Sequence, residues 1–179
     1  MRIHASEVEL LAGNWRATFE SLLDSAQGEI LVCSPFVGAE PLETMTAVLT
    51  HRNNVSSSIV TDLSADRITS AATDVRALAE LCATARNLSV PHLPKLHAKV
   101  YVVDGRQAVI TSANLTQAGM QWNHEYGIVL RNPQIVRCVR DDVLRFQHLG
   151  VTIRPESLQR LASFCCGREI PVGISLPQP

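Results

Sequence analysis

No stretch of this chain comes near the roughly 18 consecutive apolar residues that a membrane-crossing helix needs. The opening residues, Met1 to Leu11, alternate polar and apolar side chains and lack the basic-then-apolar layout of a secretory signal. A soluble, cytoplasmic protein is the expectation. The cysteines are few and odd in number, Cys33, Cys82, Cys138, Cys165 and Cys166, and no C-x-x-C pair occurs. That argues against a disulfide framework and against a cysteine zinc site, and leaves reduced thiols. There is no excess of one charge: 16 Lys and Arg stand against 17 Asp and Glu, for a net charge of -1. A protein that gripped nucleic acid by electrostatics alone would be more basic, so a local groove or another polypeptide segment would have to supply such a grip. Internal repeats and low-complexity segments are also missing. What is present is globular: 46% hydrophobic and 18% charged residues in 179, room for one domain with a full core.

Periodicity divides the chain into alternating elements. Apolar residues at helical spacing predict a helix over 7–26, closed by Gly28. The run Glu29 to Ser34 reads as a buried strand ended by Pro35, followed by a helix over 40–50 and a strand over 55–61. Alanine-rich residues 66–86 predict one long helix, with a short extended piece at 88–93 after it. Residues 96–103 and 107–112 read as two strands joined at Asp104-Gly105, a strong hairpin signal. A strand at 126–130, a helix over 132–147 with Pro133 in its first turn, and a last helix over 155–166 complete the pattern. The expected fold is α/β, a mixed β-sheet flanked by helices on both faces. Residues 1–167 form the expected domain. Residues 168–179, with three prolines, read as a tail or a linker from a longer chain.

The chemistry concentrates between Pro94 and Leu130. On a strand, His97 and Lys99 share one face, with Ala98, Val100 and Val102 on the other. A two-residue turn would pair Val103 with Arg106 and, counting back, His97 with Ser112, placing Ser112 on the same face. Asn114 lies just past that strand. A histidine can attack phosphorus when its second ring nitrogen is held by an acceptor. A lysine and an amide can donate to the non-bridging oxygens. Glu125 is the candidate carboxylate to orient the imidazole. No second carboxylate cluster suited to Mg²⁺ is visible, so no metal or cofactor is expected.

His97-x-Lys99-x-x-x-x-Asp104, then Thr111-Ser112-Ala113-Asn114 and Glu125, resembles the H-x-K-x(4)-D signature of the phospholipase D superfamily with its Gly-Ser-x-Asn element and following acid. Thr111 departs from the pattern, which usually has glycine there. The resemblance implies a phospholipase D-like fold and a covalent phosphohistidine at His97. Lys99 and Asn114 would bind phosphate, with Ser112 assisting, Glu125 would orient His97, and Asp104 would be structural.

The two-step chemistry needs a proton donor for the leaving oxygen, and only one H-x-K occurs in this chain. A twofold dimer would supply a second His97, whereas His51, His92 and His124 lack a supporting motif. Single-motif chains of this size are similar to the superfamily's nucleases, including metal-independent restriction endonucleases. The resemblance therefore implies a metal-independent phosphodiesterase acting on DNA, with RNA open. Recognition or helicase modules would follow residue 179, and no membrane partner is expected. A lipid-acting enzyme and a non-catalytic binding module are the alternatives. Trp122 and Tyr126 could stack bases near the site, but covering the edge of the core is the favoured reading, and His124 is read as exposed.

Overall fold

Runs of β-branched and apolar residues form strands, and amphipathic stretches form the helices that cover them. The computed structural model describes residues 7–165. In chain order, the elements begin with β1 (Val8–Ala12), α1 (Arg16–Ser25), β2 (Glu29–Cys33), α2 (Ala39–Leu49) and β3 (Ser56–Val60). Next come α3 (Ala65–Thr69), α4 (Val75–Thr84), β4 (Leu88–Ser89), β5 (Pro91–His92), β6 (Val100–Val103) and β7 (Gln107–Thr111). A π-helical turn (Ala118–Trp122), β8 (Tyr126–Leu130), α5 (Pro133–Leu149), β9 (Val151–Thr152) and α6 (Pro155–Cys165) complete the order. The tail expected at 168–179 lies outside the described residues.

Seven strands form one sheet in the order β1-β8-β7-β6-β2-β3-β4, and β5 and β9 form a separate antiparallel pair. β2, β3 and β4 run parallel, while β2-β6, β6-β7, β7-β8 and β8-β1 are antiparallel. On one face, Tyr101, Val103, Val109 and Val129 pack against Trp15, Phe19, Leu42, Met45, Leu78 and Leu158 from four helices and the approach to α1. On the other, Leu31, Cys33, Val60, Val102, Ala108 and Leu130 pack against Val136 and Val143 of α5. The mixed sheet covered on both faces is the architecture that the alternation of elements implied. Burial pushes the Cys33 thiol up to about 12 and the Cys82 thiol to about 11, so both remain protonated thiols at neutral pH.

Three expectations about local structure need correction. The helix expected over 7–26 is a strand followed by a helix: Val8 to Ala12 pair with Leu130 to Tyr126, and Gly13, at φ +77°, turns the chain before α1. Sheet hydrogen bonding at an open edge outweighs the helical spacing of Val8 and Leu11. The long helix expected over 66–86 is broken between α3 and α4. Ala71 stands at φ +55°, and Asp74 accepts a hydrogen bond from Ala77 N at 2.9 Å as the cap of a new helix. High alanine propensity masked that stop. The third correction concerns the hairpin. Asp104 and Gly105 both have positive φ, as an Asp-Gly turn requires, but the ladder pairs Val103 with Gln107, so three residues form the loop.

α5 begins where Asn132 Oδ1 accepts from Gln134 N and Ile135 N, both at 3.1 Å, while its Nδ2 donates to Glu7 Oε1 at 2.9 Å. Asn132→Ala is expected to destabilise the fold by about 1 kcal/mol, a fall of roughly 3 °C in Tm by calorimetry. An unchanged Tm would show that the cap contributes nothing.

Candidate active site

Because β6 runs antiparallel to β2, its start adjoins the end of β2, where Cys33 pairs with Val100. His97, Ala98 and Lys99 therefore enter the sheet at the edge where β2 and β3 finish. Thr111 to Asn114 leave β7 at that same edge, and Glu125 leads into β8 there. The carboxyl ends of parallel strands are where open α/β sheets place their ligands.

His97 is exposed, and its Nε2 lies 3.2 Å from Lys99 Nζ. Regular pairing of β6 starts only at Val100, so the two residues precede the strand, yet their side chains meet as period-two spacing requires. A charged ammonium can only donate, so Nε2 accepts and the neutral ring carries its proton on Nδ1. Desolvation holds the Lys99 ammonium below the usual lysine range, and the negative charge of Glu125 offsets part of that shift. The carboxylate is thus close enough to be felt electrostatically at Lys99.

Glu125 accepts hydrogen bonds from Ser112 Oγ and, at 3.0 Å, from Asn123 Nδ2, so its oxygens engage these two residues and not His97. Ser112 also anchors β8, accepting from Tyr126 N at 3.1 Å. The three-residue loop shifts the ladder by one from the expected register. Thr111, whose N donates to Lys99 O at 3.2 Å, stands across from Lys99, on the face where Ser112 was expected across from His97. A one-residue slip exchanges the faces of a strand.

Asn114 is held by its backbone: its carbonyl accepts from Thr116 N at 2.8 Å, and a Cβ on Gly119 would stand 2.6 Å from that oxygen. Its side-chain Oδ1 is buried without a hydrogen-bond partner among the described residues. An acceptor cannot bind a phosphate oxygen, so any phosphate contact of Asn114 would fall to its Nδ2. Asp104 lies at the far end of the sheet, away from the other motif residues. Its carboxylate accepts from Gln27 N at 2.9 Å and from Gly28 N and Glu29 N at 2.8 Å each, pinning the hairpin to the start of β2.

Of the other histidines, His92 Nδ1 accepts from Leu63 N at 2.9 Å, and His51 and His124 are exposed. Trp122 and Tyr126 do not cover the core: they are 66% and 59% exposed. Three supporting residues escaped the sequence reading. Ser34, fully buried, accepts from Leu115 N at 2.8 Å and donates to Phe36 O at 2.6 Å, fixing the turn that carries Asn114. Asp62, also buried, accepts from Lys95 N at 3.1 Å and so holds a residue at φ +64° two positions before His97. Asn123 supports Glu125. A polar residue within two positions of the end of a buried strand was the available signal for Ser34 and Asp62.

The family model described as cardiolipin synthase, PLD-like domain, matches residues 19–146, and the chain belongs to this phospholipase D-like family. Members of the superfamily are phosphodiesterases, and the chain is an enzyme of that class, acting on phosphodiesters. Among solved structures, Nuc from Salmonella typhimurium, a phospholipase D family member, is 21% identical, with a TM-score of 0.65 over 83% of this chain and 99% of that one. NucT from Helicobacter pylori is 13% identical, with a TM-score of 0.66 over 82% and 98%. Phosphatidylserine synthase from Haemophilus influenzae is 16% identical, with a TM-score of 0.66 over 89% of this chain and 45% of its own. No curated protein matches the chain.

Proposed function

We propose that the chain hydrolyses phosphodiester bonds of nucleic acid, DNA in the first instance, through a covalent phosphohistidine at His97. The reaction proceeds without a metal ion, at a site completed by a second copy of the chain. The observation that carries this reading is an exposed imidazole whose Nε2 lies 3.2 Å from Lys99 Nζ, on the sheet edge where the Asn114 turn and Glu125 also stand.

Phosphate oxygens would draw the Lys99 ammonium and the Asn114 amide to themselves, freeing the Nε2 lone pair. Nε2 attacks phosphorus, the bond to the leaving oxygen breaks, and that oxygen takes a proton. Water then attacks phosphorus, the P–N bond breaks and His97 is restored. Glu125 contributes the negative charge that favours imidazolium, exchanging one of its present partners for His97 Nδ1. Ser112 and Asn123 keep that carboxylate within reach. Among the described residues, no group of three or more His, Cys, Asp and Glu side chains converges as metal ligands would.

The proton donor on this reading is His97 of a second copy. Leu10, Ile110 and Tyr126, on β1, β7 and β8, are exposed at 65%, 37% and 59%, on the sheet face beside α5 and toward the edge that carries the site. A twofold partner seated there would cover them. Residues 1–167 would then be the catalytic domain of a restriction-type enzyme, whose recognition modules lie elsewhere.

The test is cleavage of single- and double-stranded DNA and of RNA with EDTA present, beside the mass by sedimentation. We expect cleavage undiminished by chelator, a dimer, and shallow salt dependence in keeping with the net charge of -1. Loss of cleavage in chelator, or full activity as a monomer, would overturn the corresponding element.

One observation favours a second reading. An apolar cavity of about 360 Å³, lined by Leu63, Ala65, Ile68, Leu161 and Phe164, opens beside α3, which follows the end of β3 and so lies toward the His97 edge. A lipid-acting phosphodiesterase would place an acyl chain there. Co-sedimentation with phosphatidylglycerol vesicles, and hydrolysis of that lipid in preference to DNA, would favour it.

A further inference from the structure

Thr111 is where this chain departs from the glycine usual in its motif, and the structure shows what its side chain does. Its backbone N donates to Lys99 O at 3.2 Å. Its hydroxyl donates to Tyr126 O at 3.2 Å and accepts from Ala113 N, also at 3.2 Å. One residue thus bonds to Lys99 itself, to the neighbour that precedes Asn114, and to the neighbour that follows Glu125. The segments that carry Lys99, Asn114 and Glu125 meet at one residue, through its backbone N in the first case and its hydroxyl in the other two. Glycine can make only the first of these bonds.

The space for this side chain is made across the strand pair. Gly127 faces Thr111 in the β7-β8 ladder. A Cβ at position 127 would stand 2.7 Å from Thr111 Cβ and 2.9 Å from its Oγ1. Real carbon atoms do not approach so closely, so the two residues occupy one volume between them.

We propose that Thr111 is a positioning residue: its hydroxyl is a clip that holds the Asn114 turn and the Glu125 strand in fixed relation to Lys99. The departure from the motif adds a contact and is not a sign of decay. The inference deepens the phosphodiesterase reading and relies on it only where turnover is measured. Removing the hydroxyl has an uneven effect. Tyr126 O keeps a second donor, Ser112 N at 3.0 Å, whereas Ala113 N has Thr111 Oγ1 as its hydrogen-bond acceptor. Without it, the N–H beside Asn114 loses its partner, and the turn loosens from that point.

The test compares Thr111→Ser, Thr111→Val and Thr111→Gly in the full chain. Turnover of bis(4-nitrophenyl) phosphate gives kcat and KM, and hydrogen exchange reports the Ala113 amide. Valine keeps the branched shape and loses the hydroxyl. We expect it to lower kcat roughly tenfold or more, with KM changed by less than about threefold, because misplaced groups act mainly in the transition state. Exchange at Ala113 should quicken in the Val and Gly variants and stay slow in the Ser variant, whose kcat should remain within about threefold of the parent.

Parental turnover and parental Ala113 protection in Thr111→Val would overturn the clip. So would a Ser variant as damaged as the Val one, since shape and not the hydroxyl would then be responsible. A parent protein with no turnover would count against the phosphodiesterase reading, and the Ala113 exchange pattern alone would then decide the clip.

Discussion

His97→Ala should lower phosphodiester turnover by at least about a thousandfold, because it removes the imidazole proposed to form the covalent bond. The same change should leave Tm almost unaltered. His97 is exposed, and the hydrogen bond it makes is to the Lys99 ammonium, itself only partly buried. Surface substitutions of this kind shift stability by no more than about 0.5 kcal/mol. Activity and stability should therefore separate cleanly, which distinguishes a chemical role from a structural one. Rates on bis(4-nitrophenyl) phosphate and on an oligonucleotide, beside a melting curve, make the measurement. A variant that cleaves within tenfold of the parent would place the nucleophile elsewhere.

The opposite separation is expected at Asp104. Its carboxylate accepts three backbone N–H bonds of 2.8 to 2.9 Å, and its own N donates to Glu29 O at 2.9 Å. Asp104→Ala leaves those three N–H groups unpaired and puts alanine at φ +53°, where aspartate is better tolerated. Charge-assisted bonds of this kind suggest a loss of about 3 kcal/mol, or roughly 6–12 °C in Tm.

The penalty should also depend on pH. Burial pushes the Asp104 carboxyl upward, but the N–H groups of Glu29, Gln27 and Gly28 and the charge of Arg106 outweigh it and hold it below the usual carboxylate range. A carboxyl that ionises more readily folded than unfolded contributes its full stabilisation above the unfolded value, about 3.9. That contribution fades as pH falls past this value and through the folded one. The Tm gap between parent and variant should therefore be wide at pH 7 and narrower near pH 3.5. A variant that melts within a degree of the parent at pH 7 would refute the pin.

Much of this was legible in the chain itself, and the failures have physical causes. The Tyr126–Leu130 strand and the Pro133 helix start could be read because local propensity and tertiary demand agree there. The Val8–Ala12 strand could not, because a five-residue edge strand takes its identity from its partner, and its spacing fits a helix equally well. Within the site, His97 and Lys99 come together as their spacing required. The face opposite Lys99 was misjudged because one extra loop residue moves every partner by one. The support given by Ser34 and Asp62 was invisible for another reason: each acts through backbone groups that lie 81 and 33 positions away along the chain.

The hairpin that offers His97 at one end is fastened by Asp104 at the other, and this has a bearing on how inactive variants are understood. A screen that scores only lost cleavage would recover changes at Asp104 together with changes at His97, and would group them as one functional class. The first group touches no substrate and acts as a hinge pin drawn from a door. Growth at lowered temperature should revive it and leave the second group dead.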